Sequence, residues 1–265
     1  MELLEELCRA GMRAIAKISH DEYSKVIGQG AGGERTKLID FVAERAIISY
    51  LESIKFEGRV ISEEMGERKF GDKDYPLIIL DPLDGTTNAT RGVIPYSISV
   101  AISNGPNLSN IYAGAVMEIP SGRIFKAERE RGAYFDGKEI QVGNINSLKR
   151  AIVGMDVKAG GKFVKSMLPI LYKAKLIRIL GSAALELCYV ASGALDLYID
   201  IRDLLRITDI AAAYIILKES GATILNPDGS DLDWPIDLKR RISIIAGNKI
   251  LCEEVISLIK RNFKY

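Results

Sequence analysis

Two aspartates three residues apart, Asp81 and Asp84, follow the apolar run Pro76-Leu77-Ile78-Ile79-Leu80. Two acids aimed at one spot repel each other, and their pKa values rise unless a cation joins them. Mg²⁺ suits such oxygen-only ligands and keeps coordination positions for water and phosphate. Pro82 stiffens the link between the acids, and Gly85 permits a sharp turn. Thr86, Thr87 and Asn88 then supply hydroxyl and amide groups where a short helix can begin. A helix start presents unpaired backbone N–H groups and a positive dipole end, which together seat a phosphate. Asp, Pro and Gly are also ordinary turn residues, so residues 81–85 read equally as a solvated turn. The apolar strand before them and Thr86-Thr87-Asn88 after them favour the site.

Composition narrows the chemistry further. His20 is the single histidine, so a multi-histidine zinc site is excluded and any Ser-His-Asp arrangement would have to use it. His20 itself reads as an exposed residue near a helix end. Hydrolytic chemistry therefore rests on carboxylates, hydroxyls or hard metals. Cys8, Cys188 and Cys252 are odd in number and far apart, which fits a reducing compartment. The formal net charge is +1 with both signs interspersed, which argues against nucleic acid as a partner. The first residues, Met1-Glu2-Leu3-Leu4-Glu5-Glu6, are acidic where a secretory signal is basic, and apolar runs such as Ala211-Ala212-Ala213 are too short for a bilayer. No membrane partner and a cytoplasmic location are expected.

The elements that must position these residues follow from periodicity. Residues 3–18 form one helical stripe. A glycine-rich loop follows, residues 28–33. A second helix spans about residues 37–53, with Leu38, Phe41, Val42, Ala46, Ile47 and Leu51 expected inward. Val60-Ile61-Ser62 is a short strand ending at Glu63-Glu64. The strand 76–80 is expected to stop at Asp81, residues 96–103 to alternate as a strand, and residues 111–140 to form a meander with turns at Pro120-Ser121-Gly122 and Asp136-Gly137. In the second half, strands are expected at 151–157, 176–180, 195–201, 222–225 and 242–246. Helices are expected at 161–174, at 182–192, at 209–220 with Thr208 as its cap, and from Lys249 onward. Strands mixed with helices without regular βαβ spacing imply an α+β layered architecture. The 265 residues are expected to form a single catalytic domain with subdomains 1–143 and 150–265, with the polar segment 144–150 as the boundary.

The residues 81–88 resemble the first motif of the inositol monophosphatases, Asp-Pro-(Ile/Leu)-Asp-Gly-Thr-x-Asn. Ser62-Glu63-Glu64 is similar to the family's Gly-Glu-Glu. Asp209-Ile210-Ala211-Ala212-Ala213 with Glu219-Ser220-Gly221-Ala222 resembles Trp-Asp-x-Ala-Ala followed by Glu-Ala-Gly-Gly. Gly181-Ser182-Ala183-Ala184 resembles an element that touches the substrate ring. The glycine-rich loop with residues 36–40, and Asp200-Ile201-Arg202, look most like archaeal members, which often act on both inositol 1-phosphate and fructose 1,6-bisphosphate.

The resemblance implies a layered α/β/α/β/α sandwich of the sugar phosphatase type. It implies two or three Mg²⁺ ions on Glu63, Asp81, Asp84, Asp209 and the carbonyl of Leu83. It implies a catalytic set of Thr86, Asp40 and Glu63, with Thr86 paired to Asp40 to position or deprotonate the attacking water. Asp84, Gly85, Thr86, Ser182 and Ala183 would face the substrate, and Arg178 and Arg202 would anchor its oxygens or a second phosphate. A small phosphorylated sugar or polyol is the implied substrate and a homodimer the implied assembly.

Each role has a plainer rival. Glu64 could replace Glu63, since neighbouring strand residues face opposite ways and only one can point at the metals. Asp209 also suits a helix first turn, Arg178 and Arg202 surface ion pairs, and Asp40 a solvent-facing position. The chain departs from the family at Thr208, where Trp is usual, at Gly221-Ala222, and in the loop Ala31-Gly32-Gly33-Glu34, where archaeal members often carry Asp. A nucleotide phosphatase acting on 3′-phosphoadenosine 5′-phosphate or NADP shares the metal motif. A non-catalytic sugar-phosphate-binding regulator is the alternative outside enzymes.

Overall fold

The computed structural model describes residues 1–31, 33–157 and 162–262. Leu4, Leu7, Cys8, Gly11 and Ile15 recur at helical spacing and form the buried stripe of α1 (Glu2–Ile15). Helix α2 (Leu38–Ser53) packs beside it. Its inward face is rotated from the expected one: Phe41 is exposed, and Ile39, Asp40, Ala43, Glu44, Ile47, Ile48 and Leu51 are buried. The rotation puts two acids inside because both find donors there. Asp40 accepts from Thr86, and Glu44 accepts from the Ser62 hydroxyl and the Met65 amide. The glycine-rich segment between the helices, expected as a loop, joins a hairpin of β1 (Val26–Gln29) and β2 (Arg35–Lys37).

The next strands are β3 (Gly58–Ser62), β4 (Gly66–Phe70), β5 (Leu77–Asp84), β6 (Ser97–Ser103), β7 (Ile111–Glu118), β8 (Ile124–Glu128), β9 (Ala133–Phe135) and β10 (Lys138–Ile140), with a short helix α3 (Thr86–Arg91) between β5 and β6. They form an eight-stranded sheet ordered β10-β9-β8-β7-β6-β5-β3-β4. Its pairs are antiparallel except β3 with β5. Strand β6, expected to alternate, is buried at every residue. A sheet covered on both faces leaves no solvent side for polar residues.

The second half supplies β11 (Ile152–Met155), α4 (Lys162–Lys173), β12 (Leu176–Arg178), α5 (Ala183–Ala191), β13 (Leu197–Leu205), α6 (Ile207–Glu219), β14 (Thr223–Leu225), β15 (Ile242–Gly247) and α7 (Lys249–Asn262). Residues 158–161, including the expected start of α4, lie outside the described residues. The strands form a five-stranded sheet ordered β12-β11-β13-β15-β14. Helices α5 and α6 lie between the two sheets. Leu187, Ile210 and Ile216 share one core with Ile79, Val116 and Phe125 of the first sheet and Tyr198, Ile224 and Ile244 of the second. Met167 and Ile170 of α4 and Leu251 and Val255 of α7 cover the far face of the second sheet, against Val153, Ile199 and Ile245. With α1 and α2 on the far face of the first sheet, the layers run α/β/α/β/α, as the motifs implied.

The middle layer is held at close range. Gly114 in β7 faces α6, where an added Cβ would sit 2.7 Å from both the Ala212 carbonyl oxygen and Ile215 Cγ2. The run Ala211-Ala212-Ala213 is buried completely against it. Small residues on both sides let the helix axis approach the sheet, and this sets the height at which the α6 N-terminus meets β5.

Candidate active site

Strand β5 does not stop at Asp81. It continues to Asp84, with a register shift: Asp81 pairs with Ser99 and Asp84 with Ser97. In a regular strand, residues three apart face opposite sides. Here three steps on β5 oppose two on β6, so the bulge turns both aspartates to one face. Pro82 sits inside the irregular stretch, where its missing N–H does least harm to the ladder. Leu83 donates its amide to Asp81 Oδ1 at 2.9 Å.

Two more acids arrive from elsewhere. Carboxylate atoms of Glu63, Asp81 and Asp209 lie within 4.8 Å of one another. Glu63 and Glu64 sit in the turn between β3 and β4, not on the strand. They diverge because of that turn: Glu63 points to Asp81 and Asp209, while Glu64 accepts from the Thr36 hydroxyl. Asp209 stands in the first turn of α6, whose cap is Arg206 rather than the expected Thr208. The Arg206 amide donates to Asp209 Oδ2 at 2.8 Å, and Thr208 is buried within the helix.

The electrostatics follow from this crowding. Burial, then Glu63, Asp84 and Asp209, push the Asp81 carboxyl well up. Burial and Asp209 raise Asp84 to about 7. Burial and Asp209 raise Glu63, and burial raises Asp209 against the pull of the Arg206 amide. Oxygen-only donors, buried or partly buried and mutually repelling, are the donor set of a hard divalent cation, which would return them to the carboxylate form.

Asp84 ties the site to the second half. Its Oδ2 accepts from the Ser182 hydroxyl at 2.5 Å and the Ala184 amide at 2.9 Å. Ser182, expected to face substrate, is fully buried with its hydroxyl on Asp84, so it holds the aspartate instead. Ala183 follows it as the first residue of α5. Gly85 adopts φ +91°, and an added Cβ would lie 3.2 Å from the Gly181 carbonyl and 3.3 Å from the Pro95 carbonyl. Asn88 donates to the carbonyls of Pro95 at 2.8 Å and Leu180 at 2.6 Å, fastening α3 to the loop that precedes α5. The Thr86 hydroxyl lies 2.8 Å from Asp40 Oδ1 and 3.0 Å from the Leu83 carbonyl. Asp40 is 3% exposed, and burial raises it to about 7 although Thr86 opposes the shift.

The two arginines expected to anchor substrate are placed differently from each other. Arg202 donates to Asp200 Oδ2 at 2.5 Å and to Asp156 Oδ2 at 3.1 Å, so it braces those acids rather than offering a free fork to substrate. Arg178 is exposed at the end of edge strand β12, its guanidinium on the Ile177 carbonyl at 3.1 Å. Neither joins the carboxylate cluster.

The family model of the inositol monophosphatase family matches residues 2–263. The chain belongs to the inositol monophosphatase family. A fructose-1,6-bisphosphatase/inositol-1-monophosphatase of Methanothermobacter thermautotrophicus is 36% identical, the match covering 92% of this chain and 90% of that protein. A bifunctional NADP phosphatase/NAD kinase of Methanococcus maripaludis is 32% identical over 93% of this chain, which spans 46% of that longer protein. Among solved structures, the extragenic suppressor protein suhB of Bartonella henselae superposes with a TM-score of 0.85 at 26% identity, covering 98% of each chain. Membership makes the chain a phosphoric monoester hydrolase. The inositol monophosphatase family is metal-dependent, and the acidic cluster is where this chain gathers donors for a metal. No helix among the described residues is long and apolar enough to cross a membrane.

Several residues around this inositol monophosphatase site escaped the sequence reading. Arg206 lies among the acids, three positions before Asp209, where a helix cap stands. Glu44 props the turn that carries Glu63. Glu186 is a lone acid in the apolar helix α5, and that isolation was its signal. Its Oε1 accepts from the Leu180 amide at 2.9 Å and the Gly181 amide at 3.1 Å. Burial, then Asp156, raise Glu186 from an ordinary 4.5 to about 8. A carboxyl raised on folding contributes stability below its unfolded pKa and loses it as pH rises through the folded one. Between pH 5 and 8 the wild type should therefore lose stability relative to Glu186→Gln, which keeps an acceptor for both amides. Urea unfolding at pH 5.5 and 8.5 should show the difference between the two proteins shifting toward the variant by on the order of 1–3 kcal/mol. An unchanged difference would mean that Glu186 is already ionised in the fold.

Proposed function

We propose that this chain is a Mg²⁺-dependent phosphatase of small sugar and polyol phosphates, hydrolysing inositol 1-phosphate and fructose 1,6-bisphosphate. The observation that carries the reading is the β5 bulge, which turns Asp81 and Asp84 to one face, where Glu63 and Asp209 gather around Asp81 and the charge of Asp209 also acts on Asp84. In this reading Glu63, Asp81, Asp84, Asp209 and the Leu83 carbonyl hold two or three Mg²⁺ ions. Such ions supply a nucleophile at neutral pH and charge neutralisation for both attacking and leaving oxygens.

The chain's own groups do the remaining work. Asp40 holds the Thr86 hydroxyl proton, so the Thr86 oxygen is left as an acceptor that aims a water. Gly85 and Thr86 offer backbone N–H groups at the start of α3, the seat for the phosphate. Ser182 and the α5 N-terminus fix Asp84, and Ala183 meets the sugar through its backbone. Exposed Arg178, at the end of edge strand β12, would anchor substrate oxygens. The exposed Leu168, Leu171, Tyr172 and Leu176 support assembly as a homodimer.

A second reading, hydrolysis of the NADP phosphate, is favoured by the relatives named NADP phosphatase/NAD kinase, at 32% and 34% identity. Phosphate release from inositol 1-phosphate, fructose 1,6-bisphosphate, NADP and 3′-phosphoadenosine 5′-phosphate, ranked by kcat/KM with Mg²⁺, separates the two. A sugar or polyol phosphate ranked first supports the proposal, and NADP ranked first replaces it. Mg²⁺ binding without turnover of any ester would instead mark a non-catalytic regulator.

A further inference from the structure

One cation of the chain itself already sits among the acids. The Arg206 guanidinium bonds Glu63 through Nη1 and Glu34 through Nη2, the latter at 2.8 Å. Its side chain is 12% exposed, whereas that of Glu34 is 77% exposed. Its Nε is buried with no hydrogen-bond partner among the described residues. Taking a guanidinium out of water to this extent is costly, and the negative charge around it offsets that cost. Glu34 belongs to the turn between β1 and β2, where its carbonyl accepts from the Gly30 amide at 2.9 Å. A cavity of about 310 Å³, lined by Ile27, Thr36, Phe41, Glu44 and Glu64 among others, separates the hairpin from α2. The hairpin is therefore held near the site by a few polar links, chiefly Arg206 to Glu34, Thr36 to Glu64 and the Ala31 amide to the Glu64 carbonyl.

We propose that Arg206 is the built-in counter-ion of the acidic cluster: it tempers the cluster's hold on divalent cations and links that hold to the β1–β2 hairpin. The inference rests on the reading of Glu63, Asp81 and Asp209 as the cation site. Arg206 lowers the cluster's formal negative charge by one, and its Nη1 occupies a Glu63 oxygen. A cation entering there meets a like charge at short range and shares or displaces that contact. Without a cation, the same guanidinium limits the repulsion between the acids. Its grip on Glu34 lets any movement of Arg206 reach the hairpin.

Calorimetric titration with MgCl₂ alone, with amide hydrogen exchange over residues 26–37, tests this. For Arg206→Gln the Mg²⁺ Kd should fall by about tenfold, the ion-free protein should melt lower than wild type, and hairpin exchange should quicken. Arg206→Lys keeps the charge but cannot span both carboxylates, so its Mg²⁺ Kd should stay within about threefold of wild type while the hairpin still exchanges faster. An unchanged or weaker Mg²⁺ affinity in Arg206→Gln overturns the inference. Should that variant not fold, Arg206→Lys decides, and a loss of about tenfold in affinity would make Arg206 an aligner of Glu63 instead. A wild type that binds no Mg²⁺ overturns the reading of the site itself, a separate outcome.

Discussion

Asp84→Asn is expected to lower Mg²⁺-dependent phosphate release by about 10³-fold or more, while the ion-free variant melts no lower than wild type at pH 8. The two effects separate because Asp84 has two duties. Its Oδ2 accepts from Ser182 and Ala184, and an asparagine oxygen can take over both bonds. Its charge is the other duty. In the ion-free fold that charge is a burden, since burial and Asp209 raise the group to about 7. A folded pKa above the unfolded one means stability is lost as pH rises through it, so at pH 8 the neutral side chain relieves repulsion the wild type carries. With a cation the same charge is what holds it. Steady-state phosphate release and a melting curve in chelator check both halves. Activity within about tenfold of wild type would sink the assignment of Asp84 as a metal ligand.

The second large effect is expected at Thr86. Thr86→Val keeps the shape of the side chain and removes the hydroxyl that lies 2.8 Å from Asp40. The expected result is a fall in kcat of about 10²–10³-fold with little change in KM, because the hydroxyl aims water and does not bind the ester. Asp40 is buried, and Thr86 is the hydrogen bond that most opposes its raised pKa. If the two act as one unit, Thr86→Val combined with Asp40→Asn should lose little more than the worse single variant. Additive losses would mean that they act independently.

The chemistry was legible in the sequence because it is concentrated in one stretch, residues 81–88, and because the apolar run before it can only be a buried strand. The layering was legible too, through the mixture of strands with the apolar helices α5 and α6. What periodicity missed has a common physical cause: local patterns yield to partners distant in sequence. Phe41 looked inward by its type, yet Asp40 and Glu44 took the buried face because Thr86, Ser62 and Met65 supply donors there. Strand alternation was the expected reason for Glu63 and Glu64 to point apart, yet a turn is what divides them. The bulge that aligns Asp81 with Asp84 depends on β6 and has no signature in β5 beyond Pro82. Arg202 looked like a free anion anchor because Asp156, which shares it with Asp200, lies far away in sequence.

Helices α5 and α6 are packed between the two sheets along most of their length, one sheet above and the other below. Mutation in that layer is heavily constrained, because a changed volume there moves Asp209 and the amide of Ala184 together. Arg178 instead sits on edge strand β12, at the perimeter of its sheet. A substitution at that perimeter should therefore leave the acids where they are, whereas one in the middle layer should displace them.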